Sequence, residues 1–226
     1  MKTQRILVVG ASGGTGRHLV LDALARGHHV RAWSFRGDEL SLAHRNLSHV
    51  AGDARDEAIA SAAVQGVDAV ISALGSPHGR TKTDVCAASA RVLVSQMRKH
   101  DVRRLVAITS LGTTAKLGPV HEHVMAPLLR GVYDDKRAQE QIIAGSGLAW
   151  VIVRPGRLTE TPDRHRLRVV LEGPLPGVRV SRAGLARFAL DQLETDAFLG
   201  LAPYLVEQSR VPWHKALTLG RDVRAV

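Results

Sequence analysis

Residues 6–19 read ILVVGASGGTGRHL, and this stretch decides how the rest of the chain is interpreted. The four apolar residues Ile6–Val9 are typical of a strand that is buried on both faces of a sheet. Three glycines at GxxGxxG spacing follow, and an apolar periodic run from Leu19 predicts a helix after them. A strand, a glycine turn and a helix in this order are the context of a dinucleotide-binding fingerprint. With this fingerprint, the alternation of strand and helix patterns along the rest of the chain predicts a doubly wound α/β sheet, the Rossmann fold.

The glycine turn is typical of a loop that binds the pyrophosphate of a dinucleotide. Gly10 ends the strand in a turn that a Cβ would strain, Gly13 lets backbone N–H groups approach the phosphates, and Gly16 lets the helix lie close to the strand. The helix N-terminus then directs partial positive charge toward the phosphates. A glycine-rich turn without a ligand is the alternative. The loop residues that we assign to cofactor binding are Gly10, Ser12, Gly13, Gly14, Thr15 and Gly16.

The composition is that of one globular α/β domain. A chain of 226 residues with 45% hydrophobic residues can bury one substantial core and is short for two. No apolar run approaches the roughly 20 residues that span a bilayer, and MKTQRILVV leads directly into the first strand, so we expect neither a membrane span nor a signal peptide. Cys86 is the only cysteine of the sequence, which excludes an internal disulfide or a cysteine zinc site and favours a reducing cytoplasm.

The formal net charge of +10 raises the question of a nucleic-acid partner. The basic residues are spread along the whole chain, and aromatic residues, which would stack on bases, make up only 4% of it. We therefore expect no nucleic-acid partner. The charge instead indicates an arginine-rich surface, or a positive cleft for anionic ligands.

His29–Ser34 predicts a second strand that ends close to Arg36. In doubly wound folds this strand end meets the adenosine ribose, where an acidic residue binds the 2′-hydroxyl of NAD and an arginine accommodates the 2′-phosphate of NADP. Arg36 and Ser34 therefore favour NADP, with NAD as the alternative cofactor. A solvated loop arginine is the other interpretation of Arg36.

Three further strand ends are expected along the same edge of the sheet. Asp53 follows the strand Leu47–Gly52 and either accepts a hydrogen bond from the adenine amino group or caps the next helix. Ala73-Leu74-Gly75 end the fourth strand and should border the cleft, because ligands lie outside the carboxyl ends of such strands. Ser110 follows the fifth strand, Arg103–Thr109, and is either a hydroxyl beside the nicotinamide or an ordinary turn serine.

The second half of the chain continues the pattern without a domain boundary. Residues 1–208 are predicted to form one NAD(P)-binding domain with a small substrate-side portion, and residues 209–226 a basic tail. The predicted elements are a helix over Leu128–Ala144, a sixth strand over Ala149–Val153, a helix over Ala183–Leu193 with Ser181 as its N-cap, and an edge strand over Leu199–Val206.

Two clusters in this half invite a functional interpretation. Arginines 157, 164, 166 and 168 lie in the least regular stretch, Arg157–Val178, and either line a site for an acidic group or are exposed. His121 and His123 have only Glu122 as an acidic neighbour, so we interpret them as loop histidines and predict no metal site.

Together these motifs resemble an atypical short-chain dehydrogenase/reductase. The resemblance is carried by GASGGTG, the strand-end Arg36, Gly52-Asp53, ISALGS, LVAITS, the Lys136–Glu140 KxxxE pattern, SGLAWVIVRPG and SRAGLARF, and it covers residue 4 to about residue 206. Within that superfamily the chain resembles the group around biliverdin reductase B, also called flavin reductase, with its bacterial NAD(P)H-binding relatives.

The resemblance implies roles for individual residues. Asp53 corresponds to the aspartate beside the adenine, and Ser110 to the serine beside the nicotinamide. Pro155-Gly156 belong to the segment that packs against the carboxamide end. Arg36 matches the 2′-phosphate arginine within one position, because Phe35 stands where many relatives have the arginine.

The chain departs from ordinary short-chain dehydrogenases at their Tyr-x-x-x-Lys motif. There the tyrosine donates a proton and the lysine lowers its pKa and holds the ribose. Tyr133 precedes Lys136 by three residues instead of four, which rotates the side chain by about 100° on a helix. Ser110, Lys136 and Tyr133 remain the catalytic candidates, and relatives that lack this tyrosine transfer hydride to a flavin or tetrapyrrole.

The resemblance therefore implies an NADPH-dependent reductase of a planar conjugated acceptor, and the single cysteine favours a cytoplasmic location. Its partner would be a small and anionic acceptor, and the protein would be a monomer or homodimer. A non-catalytic NAD(P)-binding redox sensor of the nitrogen-regulator type is the alternative, and a sugar-nucleotide epimerase would need a larger substrate domain. The residues that we assign to the substrate side are Leu111, His123 and Arg157.

Overall fold

The computed structural model describes residues 2–36, 40–75, 84–115, 123–124, 126–162, 166–208 and 223–225. His121, Arg164 and residues 209–222 of the predicted tail lie outside the described residues.

Strands and helices alternate along the first half of the chain. The elements are β1 (Arg5–Val9), α1 (Gly14–Ala25), β2 (His29–Ser34), β3 (Leu47–Ala51), α2 (Glu57–Val64), β4 (Ala69–Ser72), α3 (Val85–Lys99) and β5 (Arg104–Ile108). A 3-10 turn over Leu111–Thr113 follows β5.

Strands predominate in the second half. Its elements are α4 (Ala126–Leu128), α5 (Arg130–Ala144), β6 (Ala149–Pro155), β7 (Arg157–Thr159), β8 (Leu167–Val170), β9 (Arg179–Ser181), α6 (Arg182–Asp191), β10 (Tyr204–Glu207) and β11 (Val223–Ala225). Ser181 caps α6 as predicted, because its hydroxyl accepts a hydrogen bond from the Gly184 N–H.

The described strands form a main sheet of nine, in the order β11-β8-β10-β6-β5-β4-β1-β2-β3. Neighbouring strands in the part of this order that runs from β10 through β6, β5, β4, β1 and β2 to β3 are parallel. β8 runs antiparallel to both of its neighbours, β10 and β11. The central order 3-2-1-4-5-6 is that of the doubly wound dinucleotide-binding folds. The predicted single-domain Rossmann fold is therefore confirmed. A separate pair, β7 and β9, lies beside the sheet.

The apolar run of β1 separates two buried layers. Ile6 and Val8 pack on one face of the sheet with the apolar sides of α1 and α6. Leu7 and Val9 pack on the other face with α2, α3 and α5. Successive strand residues point to opposite faces, so four apolar residues in a row require helices on both sides. Over the described ranges, no helix is long and apolar enough to cross a membrane.

The structure corrects the predicted C-terminal boundaries. The predicted edge strand is β10, which lies inside the sheet between β6 and β8. The stretch predicted as irregular contains β7 and β8, and residues 223–225 of the predicted tail pair with β8 as a further strand of the same sheet. β8 reads LRVV, where an arginine interrupts a run of only four residues, so its periodicity is too short to be detected.

The turn between β1 and α1 depends on two glycines in contact. Gly10 has a φ of +82°, a left-handed conformation that L side chains rarely adopt. A Cβ added at Gly16 would lie 2.1 Å from the Gly10 carbonyl oxygen. Because the two backbones touch there, α1 begins directly at the carboxyl end of β1.

We expect Gly16→Ala to destabilise the protein. In an unobstructed helix this change stabilises by roughly 1 kcal/mol, but here the added methyl group overlaps backbone and should lower the free energy of unfolding by about 1–3 kcal/mol. Urea unfolding measures this difference. Gly75→Ala is the matched control, since a Cβ there meets nothing within 4 Å. Equal stability of the two variants would contradict the proposed close contact.

Candidate functional site

A cavity of about 770 Å³ runs along the carboxyl edge of the parallel strands. Ligand sites typically have volumes of about 300–1,000 Å³, and in doubly wound folds they lie at this edge. The glycine turn lies at one place along it, the ends of β2 and β3 at another, and the ends of β4 and β5 at a third, here called the inner end. The lining residues are Val9, Gly10, Ser12, Gly13, Gly14, Thr15, Trp33, Ser34, Phe35, Arg36, Gly52, Asp53, Ala54, Arg55, Ala73, Leu74, Gly75, Val85, Ile108, Thr109, Lys136, Leu158 and Arg182.

The glycine turn faces the cavity with the N-terminus of α1. The Gly13 N–H donates to the Gly10 carbonyl over 3.1 Å, which closes the turn. Gly13 is the N-cap residue of α1 and has no side chain to satisfy the N–H groups of its first turn. These N–H groups and the helix dipole suit an anionic group such as a phosphate. Every loop residue assigned to the cofactor lines the cavity except Gly16, which lies behind the turn against Gly10.

Two arginines and an aspartate line the cavity at the ends of β2 and β3. Asp53 binds the side chain of Arg55, with Nε 3.0 Å from Oδ1 and Nη2 2.6 Å from Oδ2. Hydrogen bonds from Arg55 lower the pKa of the Asp53 carboxyl below its ordinary value. The cap of α2 is Asp56, whose side chain accepts from the Ala58 and Ile59 N–H groups. Asp53 therefore does not cap this helix, and Arg36 lines the same end of the cavity.

Lys136 of α5 reaches the inner end of the cavity from behind the strands. Its ammonium donates to the carbonyls of Leu74 and Ile108 over 2.5 and 3.0 Å and to Oε1 of Gln139 over 3.1 Å. An ammonium has three N–H donors, so these acceptors use all of them. Lys136 is buried, and it connects the carboxyl ends of β4 and β5.

Tyr133 lies outside the cavity lining. Its ring packs against Gly112 in the 3-10 turn, where an added Cβ would be 2.3 Å from Tyr133 Cζ. Burial raises the pKa of the Tyr133 hydroxyl above its ordinary value. The displaced spacing thus separates Tyr133 from the cavity that Lys136 lines.

The structure also separates Ser110 from the cavity wall. Ser110 begins the 3-10 turn, and its hydroxyl accepts from the Gly112 N–H over 3.3 Å. Thr109, one residue earlier, lines the cavity instead and donates its hydroxyl to Oε1 of Glu140 over 2.6 Å.

Glu140 forms hydrogen bonds with several buried polar side chains behind this wall of the cavity. It pairs with Arg154 at 2.6 Å and accepts a further hydrogen bond from Thr113. Burial disfavours the charge of the Arg154 guanidinium, but its hydrogen bonds and charge interactions with Glu140 and Tyr204 together raise the pKa of Arg154. The KxxxE pattern therefore places two buried polar side chains of α5 against neighbouring strand ends.

The remaining predicted residues lie away from the cavity lining. Leu111 is buried in the 3-10 turn, and His123 is exposed. Arg157 is exposed on β7 while its neighbour Leu158 faces the cavity, because successive strand residues point in opposite directions. Pro155 ends β6, and Gly156 packs against the backbone of Val178.

Sequence reasoning missed several residues of the lining. Val85, Leu158 and Arg55 gave no distinct signal, but Arg182 did. Arg182 occupies the first turn of α6, where the helix dipole disfavours a cation. A basic residue directly after a serine N-cap was therefore a sign that this arginine has another role.

The cavity fits an extended dinucleotide on its own geometry. The turn at α1 provides backbone N–H groups for a pyrophosphate, the ends of β2 and β3 provide arginines, and the inner end is lined by Leu74, Val85, Ile108 and Leu158. An apolar wall with few convergent polar groups is typical of sites for flat cofactors.

Comparison with known proteins points to the same class of ligand. A family model described as NAD(P)H-binding matches residues 10–196. An uncharacterized chloroplastic protein of Arabidopsis thaliana is 29% identical over 204 residues, which cover 85% of this chain and 73% of that protein. The (4-alkanoyl-5-oxo-2,5-dihydrofuran-3-yl)methyl phosphate reductase of Streptomyces griseus is 30% identical over 66% of this chain, which spans only 46% of that enzyme.

Solved structures share the fold at lower identity. A wide-type short-chain dehydrogenase/reductase of Veillonella parvula in complex with NADP superposes with a TM-score of 0.77 at 16% identity, covering 93% of this chain and 100% of that one. An anaerobillin reductase of Escherichia coli O157:H7 gives a TM-score of 0.76 at 23% identity, covering 92% and 99% of the two chains. These structures share the Rossmann fold of this chain, and the family model, which matches more than half of the sequence, shows that the chain belongs to the NAD(P)H-binding family.

Proposed function

We propose that this protein is an NADPH-dependent reductase of a planar conjugated acceptor, such as a flavin, a quinone or a tetrapyrrole. The observation that carries the proposal is the chemistry of the inner end of the cavity. Of the described residues that line it, Lys136 uses its three N–H donors on protein acceptors and Thr109 donates to Glu140. Tyr133 packs behind Gly112.

This arrangement is poorly suited to reduce a simple ketone. Reduction of an isolated carbonyl needs a positioned acid to protonate the developing alkoxide. A planar conjugated acceptor spreads the incoming charge over its rings and takes its proton from water, so it does not require such an acid. When bound, the nicotinamide supplies the hydride and leaves as the oxidised cofactor.

The relatives support a reductase in general terms. The Streptomyces griseus relative is named as a reductase of a phosphorylated dihydrofuranone, and the Escherichia coli structure as an anaerobillin reductase. The net charge of +10 favours an anionic acceptor. We propose no nucleic-acid or membrane partner, and either a monomer or a homodimer as the assembly.

The cofactor preference follows from the ends of β2 and β3. Arg36 and Arg55 both line this part of the cavity, and guanidinium groups bind phosphate oxygens in two-pronged geometry. The acidic residue that binds the ribose of NAD follows β2 in such folds, and the residues described directly after β2, Phe35 and Arg36, include no acid. NADPH is therefore the proposed cofactor.

The same inner end favours a second candidate function, a regulator that binds NAD(P) and reports redox state to a partner. Such a protein has no need of a proton donor beside the nicotinamide. Turnover separates the two candidates, because a sensor binds NADPH without oxidising it.

We expect Tyr133→Phe to keep its turnover number within about twofold of the original protein, because the hydroxyl takes no part in proton transfer. The assay follows oxidation of NADPH in the presence of FMN and then of dichlorophenolindophenol. Since burial raises the pKa of Tyr133, a tyrosine acid would lose activity only as the pH rises above its ordinary range. The pH profiles of the variant and the original protein should therefore superimpose.

Gly13→Asp is the matched loss-of-function variant, since a carboxylate at the helix N-terminus repels the cofactor phosphates. Its turnover should fall to the protein-free rate. Tight NADPH binding by the original protein with no turnover on either acceptor would favour the sensor, and a large loss in Tyr133→Phe would overturn the proposed chemistry.

Arg36→Ala should raise the dissociation constant of NADPH about tenfold and change that of NADH by less than about twofold, because only NADPH carries the 2′-phosphate. Titrations of cofactor fluorescence measure both dissociation constants. Arg45→Ala is the control, an exposed arginine at the amino ends of the strands. Equal weakening of both cofactors by Arg36→Ala would remove this residue from the 2′-phosphate site.

A further inference from the structure

Arg182 lies across the first turn of α1, a helix that is far from it in the sequence. Its Nη1 is 3.3 Å from the Thr15 hydroxyl, although the two residues are 167 positions apart. A Cβ added at Gly14 would lie 2.8 Å from Arg182 Nε. Gly14 has no positive φ, so its lack of a side chain makes room for the guanidinium rather than for a strained turn.

Two helix N-termini add positive charge around Arg182. Arg182 begins α6, and its side chain lies over the beginning of α1, so two helix N-termini and a guanidinium converge. Neither helix has an acidic residue in its first turn. Each N-terminus carries about half a positive charge, which makes the position unfavourable for a cation and favourable for an anion.

Among the described contacts, a single carboxylate compensates this charge. Glu160 accepts a hydrogen bond from Arg182 Nε over 2.5 Å and lies 3.9 Å from His18 Nε2 on α1. Its side chain is 71% exposed, whereas that of Arg182 is only 26% exposed. An exposed pair of this kind contributes little stability, so another anion can displace the carboxylate.

We propose that Arg182 binds the pyrophosphate of the cofactor and that Glu160 holds it in place until the pyrophosphate displaces the carboxylate. The proposal rests on the proposed cofactor site and adds to it a competing carboxylate from outside the glycine turn. Glu160 follows β7, the strand whose Leu158 lines the cavity. The Glu160–Arg182 pair therefore ties this wall of the cavity to α6 beside the glycine turn, and the phosphates release it.

The location distinguishes this contact from the one proposed for the 2′-phosphate. Arg182 borders Gly14 and Thr15 at the end of β1, whereas Arg36 and Arg55 follow β2 and β3. NADPH and NADH share the pyrophosphate and differ in the 2′-phosphate. Loss of Arg182 should therefore affect both cofactors to the same degree.

The test is a double-mutant cycle with Arg182→Gln and Glu160→Gln. Arg182→Gln should raise the dissociation constants of NADPH and NADH by about tenfold each, as expected for one charge-assisted hydrogen bond. Glu160→Gln should lower both dissociation constants by about twofold to fivefold, because it removes the carboxylate that competes for Arg182. In the Arg182→Gln background, Glu160→Gln should have no further effect on either cofactor.

Arg187→Gln is the control, a second arginine of α6 that pairs with Asp191 on its own helix. The affinity for 2′-AMP, which lacks the pyrophosphate, should not change in Arg182→Gln. Thermal unfolding checks that each variant is folded, and Arg182→Lys with Glu160→Gln replaces the cycle if Arg182→Gln does not fold.

Unchanged cofactor affinity in Arg182→Gln, or weaker binding in Glu160→Gln, would overturn the proposal. These are binding measurements, so they stand even if no acceptor is reduced. A lack of turnover with the full pattern of affinities would refute the reductase and leave the Arg182 contact intact.

Discussion

The contact between the carbonyl of Gly10 and the backbone at Gly16 constrains everything else in this structure. Because no side chain separates them, α1 starts at the end of β1 and points its N-terminus at the carboxyl edge of the sheet. The parallel strands beside β1 end at the same edge, and α6 packs along α1. The position of the cavity, of the helix N-terminus that faces it and of Arg182 all follow from this one close approach.

The inner end of the cavity is held by α5. Lys136 and Glu140 lie one turn apart on this helix and form hydrogen bonds to groups at the ends of β4, β5 and β6. Buried charged groups are tolerated only when their hydrogen bonds are satisfied, and here neighbouring backbone and side chains satisfy them. The same bonds make these side chains structural, so the proposed chemistry relies on the cofactor and its acceptor.

Arginines at two places along the cavity are paired with partly exposed carboxylates. Asp53 binds Arg55, and Glu160 binds Arg182. Each pair places a guanidinium where an anionic ligand would meet it while offsetting its charge in the absence of that ligand. The proposed function therefore uses part of the positive charge of the sequence to bind anionic ligands.

The sequence alone determined the Rossmann fold, the glycine turn, the cap of α6 and the strand ends that border the cavity. These features are local, since a buried strand, a turn and a capped helix each have a pattern within about 20 residues. The tertiary structure decided that Thr109 rather than Ser110 lines the cavity, that Tyr133 packs on Gly112, that β10 lies inside the sheet, and that Arg182 reaches Thr15. Each of these depends on which way a side chain points or on contact between residues far apart in the chain, and only packing fixes either.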